Sequence, residues 1–351
     1  SLCYKKLSMS KKNSNVILRE EFKNFDDLSN IYFIFKKKLN SSKKKIFLIA
    51  VSGGPDSLAL TALSKAYSYN NKCKIYHVLV DHNLRKNSSN EALSVKKLLK
   101  KNNINLIILK NKKLINKNIQ SQAREIRYEL LTNFCKKKKI NTILTAHNLE
   151  DQVETFFIRL SRGSGLQGLS SMKEVHKINK KISLVRPLLN IKKIQLIKIS
   201  KIIFNKYYKD PSNNNKKYLR TRIRSFRKIL EESGINYDQI FKSIKNLGSS
   251  RDTLNLYFNK IYEEVTIIKN KQIIINLKIF NNLNQEMKIK VFSKAIKVIT
   301  KSYYPTRSKK VMNLVDNIVK KNNAKLTLGG CLILREKDHI IIKKLKKIRY
   351  F

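Results

Sequence analysis

A short apolar run that ends in a glycine-containing turn constrains the fold of this chain more than any other feature. The run is Ile46-Phe47-Leu48-Ile49-Ala50-Val51, and Ser52-Gly53-Gly54-Pro55-Asp56-Ser57 follows it directly. A continuous apolar run of this length is typical of a strand buried on both faces, as in a parallel sheet. The segment from Leu58 to Tyr69 then has a helical pattern, so strand, turn and helix occur in the order of an α/β fold.

The same alternation continues to about residue 185. The sequence predicts further strands at 75–80, 104–109, 142–146 and 182–185. It predicts helices between them at 91–101, 120–136 and 154–160. Strands that alternate with helices favour a Rossmann-like parallel sheet with helices on both faces.

The alternation stops near Pro211, and the rest of the chain has the pattern of a smaller helical or mixed α+β region. Its predicted elements are basic helices over 218–260, a strand at 273–275, helices at 286–299 and 308–321, and a hairpin over 326–342. We therefore expect a basic N-terminal extension (1–40), a catalytic domain (41–220) and a C-terminal region (221–351).

The charge of the chain favours a polyanionic partner. The formal net charge is +52 and the pI is about 10.2. A field of this strength attracts nucleic acid first and anionic membrane surfaces second. Lysine far outnumbers arginine, so a compositional bias of the genome is an alternative source of the charge. No stretch of about 18 apolar residues occurs, and we expect no membrane span.

The cysteines and the N-terminal residues bear on the compartment. Cys3, Cys73, Cys135 and Cys331 are widely spaced and form no C-x-x-C pair, which argues against a disulfide framework, a zinc site or an iron–sulfur site. Free thiols in a reducing cytoplasm are expected. The basic N-terminal residues lack an apolar core, which disfavours a secretory signal and leaves a transit peptide or a late start at Met9 open.

Residues 52–57 predict a phosphate-binding loop. Its two glycines allow a sharp turn and a close approach to a ligand, and the N–H groups of the loop and helix start favour an anion. No Gly-Lys-Ser/Thr follows, so this is not a Walker A loop. Asp56 is instead predicted to hold Mg²⁺ against phosphate oxygens. A glycine turn with an Asp/Ser helix cap is the structural alternative.

The loop resembles the S-G-G-x-D-S signature of PP-loop ATP pyrophosphatases. That resemblance implies release of pyrophosphate and an adenylated intermediate, and it leaves the substrate open because several activities share the loop. Other segments resemble the tRNA(Ile)-lysidine synthetase family, strongly over about residues 46–230. They are Asp81-His82-Asn83-Leu84-Arg85, residues 145–155 and 159–169, Arg186-Pro187-Leu188-Leu189, Asp210-Pro211-Ser212-Asn213 and, more weakly, residues 326–331.

The family resemblance implies an ATP-dependent ligase. It implies that ATP and Mg²⁺ are used to couple free lysine to C2 of the wobble cytidine of tRNA(Ile) with a CAU anticodon, which releases AMP and pyrophosphate. The C-terminal region would bind the tRNA, and a homodimer stays open. Asn83 stands where the family commonly has glycine, and Glu150 where it commonly has aspartate.

Residues were assigned to the site from these motifs. The predicted ATP-binding residues are Ser52, Gly53, Gly54, Pro55, Asp56, Ser57, Asp81 and His82. The predicted catalytic residues are Asp56, Arg124, Arg127, His147, Asp151 and Glu154, with Asp56 and Asp151 as magnesium ligands. Arg124 or Arg127 is predicted to contact the nucleotide phosphates. On a helix, His147, Asp151 and Glu154 would share one face, which also leaves a zinc site as an alternative. The loop, the Asp81 segment and the His147 segment follow predicted parallel strands, at the edge where α/β sheets bind ligands.

Arginine is scarce beside lysine, so its positions are informative. Arginine provides a planar, bidentate donor that lysine cannot provide. The predicted tRNA-binding residues are Arg162, Arg220, Arg222, Arg224, Arg227 and Arg307. A solvated helix face is the alternative interpretation of residues 220–227.

Three rival functions remain at this point. A tRNA cytidine thiolase shares the loop and the type of substrate, but such enzymes use paired cysteines or a cluster. A small-molecule ligase of the same loop class would not need the basic C-terminal region. A catalytically silent RNA-binding protein would not need the motif residues between Ser52 and Asp151.

Overall fold

The computed structural model describes residues 26–41, 45–84, 87–113, 115, 119–208, 217–300, 306, 308–320 and 323–345. The chain divides into two compact units between Gly248 and Ser249. The sequence placed the end of the catalytic domain at residue 220. Within the described ranges, no helix combines the length and the apolar content needed to cross a bilayer.

The first unit contains a six-stranded sheet in the order β3-β2-β1-β4-β6-β5. Its strands are β1 Ile46–Val51, β2 Lys74–Asp81, β3 Leu106–Lys110, β4 Thr142–Leu144, β5 Val175–Lys177 and β6 Ser183–Val185. All neighbouring pairs are parallel except β5 with β6. The predicted parallel sheet is confirmed. The antiparallel edge strand β5 was not predicted, because its three residues, two exposed and one partly buried, form no apolar run.

Helices of the first unit precede, connect or follow the strands. They are α1 Asp26–Asn40, α2 Pro55–Asn70, α3 Ser88–Lys101, α4 Ile119–Lys137, α5 Leu149–Leu160, α6 Leu166–Leu169, α7 Lys193–Phe204, α8 Leu219–Ser225 and α9 Arg227–Glu232. The main core contains Leu28 and Phe35 of α1 together with Phe47 and Ile49 of β1. Residues 26–40 of the expected N-terminal extension therefore pack into the core of this unit.

Helix α10, Tyr237–Val265, contains the division between the units. The second unit has a five-stranded antiparallel sheet in the order β7-β8-β11-β10-β9. Its other elements are β7 Thr266–Lys269, β8 Gln272–Asn276, α11 Leu277–Asn281, α12 Gln285–Thr300, α13 Ser308–Lys320, β9 Lys325–Leu328, β10 Cys331–Arg335 and β11 His339–Lys344. The predicted hairpin is part of this larger sheet, since β11 also pairs with β8.

The sheet order places a switch point beside β1. Strand β1 pairs with β2 on one side and with β4 on the other, because the chain passes from β1 to β2 and β3 and then crosses back to place β4 beside β1. In open α/β sheets, ligands bind outside the carboxyl ends of strands at such a point. The phosphate loop follows β1 and residues 145–148 follow β4, so both segments end at this crevice.

Candidate active site

The phosphate loop is held by its two serines. Ser57 is buried, and its Oγ accepts hydrogen bonds from the N–H and the hydroxyl of Ser52, each at 3.1 Å. The same hydroxyl donates to the carbonyl oxygen of Gly54 at 2.9 Å. Helix α2 begins at Pro55, which lacks an N–H and suits the first turn of a helix. No side-chain cap hydrogen bond is formed at this helix start, within the described residues, and the first N–H groups of a helix have no partner inside it, which suits an anion site after β1.

Gly53 is required by the shape of the loop. Its φ is +83°, and a Cβ added there would lie 2.5 Å from Cγ2 of Val95 in α3. The carbonyl oxygen of Gly53 accepts a hydrogen bond of 3.0 Å from the N–H of Tyr208. The carbonyl of Pro55 accepts another from the hydroxyl of Ser200 in α7. The loop is thus fixed from two sides, by α3 and by the segment from α7 to Tyr208.

Asp56 has an unusual environment for a carboxylate. Its Oδ1 is buried and has no hydrogen-bond partner among the residues that the structure describes. Burial raises the pKa of Asp56 to about 7, and the charges of Asp151 and Glu150 act in the same direction, while Lys193 opposes them. A carboxyl oxygen in this position is suited to a ligand that supplies positive charge.

His147 precedes helix α5, so the expectation that it lies on one helix face with Asp151 and Glu154 was wrong. Asn148 caps the helix: its side chain accepts from the N–H of Asp151 at 2.9 Å, and its own N–H donates to Oδ2 of Asp151 at 3.1 Å. This capping box makes Leu149 the first residue of the helix. His147 instead extends from the end of β4, where its Nδ1 lies 2.9 Å from the hydroxyl of Thr145.

Two histidines at the strand ends are neutral at neutral pH. Burial lowers the pKa of His147 to about 4, against the opposing charge of Asp151. Burial and the charge of Arg127 lower the pKa of His82 to about 4. Arg127 of α4 lies within 3.4 Å of the His82 ring, measured from Nε to Nε2. Arg124, one turn earlier, lies over the ring of Tyr128 at 5.1 Å, and its charge also acts on His147.

Asp81 has a structural environment. Its carboxylate accepts from the N–H of Asn83 at 2.9 Å and from the hydroxyls of Ser88 and Ser89, each at 2.7 Å. Burial raises the pKa of Asp81, but these hydrogen bonds and the charge of Lys110 outweigh it, so the pKa is lowered. Asp81 therefore fixes the start of α3, the helix that packs on Gly53.

The sequence of this chain matches a protein family and, over most of its length, individual relatives. The PP-loop domain family matches residues 28–232. The tRNA(Ile)-lysidine synthase of Orientia tsutsugamushi is 34% identical over 84% of this chain and 68% of its own length. That of Wolbachia pipientis is 32% identical over 88% of this chain and 73% of its own length. The chain belongs to the tRNA(Ile)-lysidine synthase family.

The fold of this family member also resembles a solved structure of another PP-loop protein. The U34-tRNA thiolase NcsA from Methanococcus maripaludis aligns with a TM-score of 0.53 and 18% identity, over 63% of this chain and 78% of that chain. At this identity the likeness concerns the fold alone.

In this synthase-family chain, Glu154 forms a buried ion cluster with the arginine segment of α8. Arg224 donates to both oxygens of Glu154, from Nε to Oε1 at 2.5 Å and from Nη2 to Oε2 at 3.1 Å. Nε of Arg220 lies 3.1 Å from Oε2 of the same carboxylate. Nη2 of Arg224 also lies 4.0 Å from Oδ1 of Asp151. Two of the predicted tRNA-binding arginines are thus engaged with two predicted catalytic acids.

Glu150 makes a similar connection at the start of α5. Its Oε2 accepts from the N–H of Lys193, the first residue of α7, at 2.8 Å. Its Oε1 lies 3.5 Å from Nη1 of Arg227, whose Nε donates to Glu231 at 2.8 Å. The guanidinium of Arg227 also lies over the ring of Tyr237, at 4.7 Å from its centre. Glu150 therefore joins the starts of α5 and α7 to α9.

The remaining predicted tRNA-binding residues differ from these. Arg222 is exposed, and its Nη1 lies 3.5 Å from the carbonyl of Lys217. Arg162 is exposed in the turn after α5. Arg307 lies outside the described residues.

Sequence reasoning missed several residues that shape the site. Glu150 was noted only as a departure from the family pattern, and Thr145 and Lys193 were given no role. No local pattern signals them, because each depends on which segments the fold brings together. The described residues contain no group of three or more His, Cys, Asp or Glu side chains arranged for a metal, so the alternative of a zinc site has no ligand set here.

Proposed function

We propose that this chain couples free lysine to C2 of the wobble cytidine of tRNA(Ile) with a CAU anticodon and converts ATP to AMP and pyrophosphate. The observation that carries the proposal is the phosphate loop at the switch point between β1 and β4. Relatives named for this activity also match most of the length of this chain. The position suits a nucleotide.

The reaction proceeds in two steps in this proposal. The carbonyl oxygen on cytidine C2 is a poor leaving group, so it first attacks the α-phosphorus of ATP. The bond from that phosphorus to the bridging oxygen breaks, which releases pyrophosphate and leaves an adenylated cytidine. The neutral ε-amine of lysine then attacks C2, loses a proton and expels AMP as the C2–O bond breaks. The attack requires an unstacked base, which an anticodon loop can provide.

The chain supplies fixed dipoles for the first step. The N–H groups of the loop and of the first turn of α2 are positioned by Ser52 and Ser57 before the ligand arrives. Donors that are already oriented stabilise charge that develops on the phosphates without reorganisation. Neutral His147, after β4, and Asp151, on α5, are assigned to holding the nucleotide or the amine. Glu154, also on α5, is assigned to the site through its ion pairs with Arg220 and Arg224.

Asp56 is the residue that fits a magnesium ligand. Its buried Oδ1 lacks a hydrogen-bond partner within the described ranges, and Mg²⁺ in ATP sites is commonly bound by one or two carboxylates and phosphate oxygens. Asp151, the second predicted ligand, has one oxygen engaged by the cap of α5. When bound, Mg²⁺ would offset negative charge on the phosphates.

The tRNA and the compartment complete the proposal. We assign tRNA binding to the basic residues after 220, with the exposed Arg222 and Arg162 as phosphate contacts. Cytoplasmic location agrees with the free thiols of Cys73, Cys135 and Cys331. A homodimer stays a prediction from the sequence.

The thiolase alternative is disfavoured by the cysteines. Cys135 is fully buried, and burial raises the pKa of its thiol to about 12, which suppresses the reactive thiolate. The described residues also lack a cluster of three ligands for iron or zinc. A sulfur-transfer reaction has no evident sulfur carrier in this part of the chain.

One assay separates the candidate functions. The protein is incubated with ATP, Mg²⁺, labelled lysine and tRNA(Ile) with a CAU anticodon, and a tRNA with uridine at the wobble position is the matched control. Label that enters only the cytidine-bearing tRNA, with stoichiometric AMP and pyrophosphate, supports the proposal. Incorporation of sulfur without lysine would support a thiolase, and RNA binding without ATP consumption a silent binder.

The role of Asp56 is tested by an isosteric change. Asp56→Asn should lose turnover by at least about 100-fold and keep the wild-type affinity for tRNA, because the side-chain shape stays while the anionic oxygen is lost. Asp338→Asn, on an exposed turn of the second unit, is the control. Retained turnover of Asp56→Asn at low Mg²⁺ would contradict the assigned role.

A further inference from the structure

The phosphate loop of this chain contains no lysine, although ATP, its proposed ligand, is highly anionic. In a Walker A loop a lysine reaches the terminal phosphates, but here Asp56 follows the glycines and Pro55. Apart from Mg²⁺, positive charge near the phosphates must therefore come from residues outside the loop. Several basic residues are close to it in the fold, and they differ in what their side chains already bind.

The arginines closest to α5 are engaged. Arg220 and Arg224 form ion pairs with Glu154, and Arg227 pairs with Glu231 and Glu150. Moving any of them onto a phosphate would leave a carboxylate without its partner, and for the buried Glu154 this is costly. These residues are poor candidates for the missing cation.

Lys193 is placed differently. It is the first residue of α7, and its backbone N–H is fixed at 2.8 Å from Oε2 of Glu150. Helix α7 also holds the loop directly, through the hydroxyl of Ser200 on the carbonyl of Pro55. The side chain of Lys193 is half-buried, whereas that of its neighbour Lys192 pairs with Asp238 at 2.7 Å.

The ammonium group of Lys193 is available for a ligand. Within the part of the chain that the structure describes, no carboxylate oxygen lies within 4.0 Å of it. Its charge lowers the pKa of Asp56 against the effect of burial, and the hydrogen bond from Ser200 to Pro55 holds helix α7 against the loop. A lysine on a flexible stem can reach a phosphate as a point charge.

We propose that Lys193 binds the phosphates of ATP, so that helix α7 supplies the lysine that the phosphate loop lacks. This inference rests on the proposed use of ATP and extends it to a residue outside the loop. The ammonium contacts phosphate oxygens beside the N-terminus of α2, and Glu150 fixes the backbone from which the side chain extends. Lys193 is thus a substrate-binding residue, and Glu150 is a positioning residue.

The test uses Lys193→Met, which keeps most of the apolar stem and removes the charge. Binding of Mg-ATP, adenosine and tRNA is measured separately by calorimetry, with Lys201→Met, an exposed position on the same helix, as the matched control. Loss of a charge-assisted contact should weaken ATP binding by about 10–100-fold. Adenosine and tRNA affinity should not change, and Lys193→Arg should restore at least part of the ATP affinity.

The outcomes also separate this inference from the proposed function. Equal ATP affinity of Lys193→Met and Lys201→Met would overturn it, as would an equal loss of affinity for adenosine, which carries no phosphate. If the wild type binds ATP through Lys193 but transfers no lysine to tRNA, the proposed reaction fails and the assignment of Lys193 stands. A melting temperature equal to that of the wild type excludes a folding defect as the cause.

Discussion

Replacing Gly53 by alanine tests whether the phosphate loop requires a residue without a side chain. The backbone there has φ of +83°, and the new Cβ would lie 2.5 Å from Cγ2 of Val95. A left-handed backbone costs an L-residue about 1–2 kcal/mol, and overpacking a filled site costs about 1–3 kcal/mol. We therefore expect Gly53→Ala to lower the free energy of unfolding by about 2–5 kcal/mol.

The two contributions can be separated by a second substitution. Val95→Ala removes the atom that the new Cβ meets and leaves the backbone angle unchanged. In a double-mutant cycle, Gly53→Ala should therefore cost less in the Val95→Ala background, by about 1–2 kcal/mol. Displacement of the loop should also weaken ATP binding in Gly53→Ala, because the N–H groups no longer converge.

The assay is urea unfolding followed by circular dichroism, with ATP affinity measured in parallel. Gly54→Ala is the control, since φ at Gly54 is −72° and the nearest heavy atom to an added Cβ lies at 3.7 Å. It should cost less than about 1 kcal/mol, the scale of a changed N-cap. The reasoning is refuted if Gly53→Ala is as stable as Gly54→Ala, or if the effects of Gly53→Ala and Val95→Ala are additive.

Three further predictions concern pH dependence, RNA binding and stability. Burial lowers the pKa of His77 to about 3. The stability that neutral His77 contributes is therefore fully present above pH 6.5 and is lost as the pH falls toward 3. Between pH 7 and pH 5, the wild type should lose about 2 kcal/mol of unfolding free energy through this group in urea titrations, and His77→Gln should not show this loss. Arg222→Ala should weaken tRNA binding and reduce the slope of log K for tRNA binding against log salt concentration by about 0.7–0.9. Arg224→Ala should instead mainly lower the melting temperature, because it leaves Glu154 with one fewer partner. Equal salt slopes for Arg222→Ala and the wild type would contradict the assigned phosphate contact.

The parts of the fold that the sequence predicted are those whose burial is continuous along the chain. Strand β1 has the bounds that its apolar run indicated, and the order of strands and helices gave the parallel sheet. Strand β5 and strand β7 were missed, since Val175–Lys177 and Thr266–Lys269 are short and largely exposed edge strands. Their pairing depends on neighbouring strands and leaves no periodic pattern of burial.

The site was predictable only where its residues are adjacent in sequence. The phosphate loop is one contiguous segment, so its geometry follows from local chemistry. The helix start at Leu149 could have been read from Asn148 and Asp151, which have the spacing of a capping box, and His147 would then have been placed outside the helix. The pairing of Glu154 with Arg220 and Arg224 joins residues about one-fifth of the chain apart, which no local pattern reveals.

The ion pairs give a physical reason for the clustered arginines in a chain that otherwise uses lysine. Glu154 is almost fully buried, and a buried carboxylate needs cations of fixed geometry that satisfy both oxygens. Arg224 provides two parallel hydrogen bonds to it, which a single ammonium group cannot do. Asp56 differs, because its Oδ1 has no such partner within the described residues. The arginines of the protein therefore neutralise Glu154, whereas Asp56 at the phosphate loop is left for the Mg²⁺ that binds with ATP.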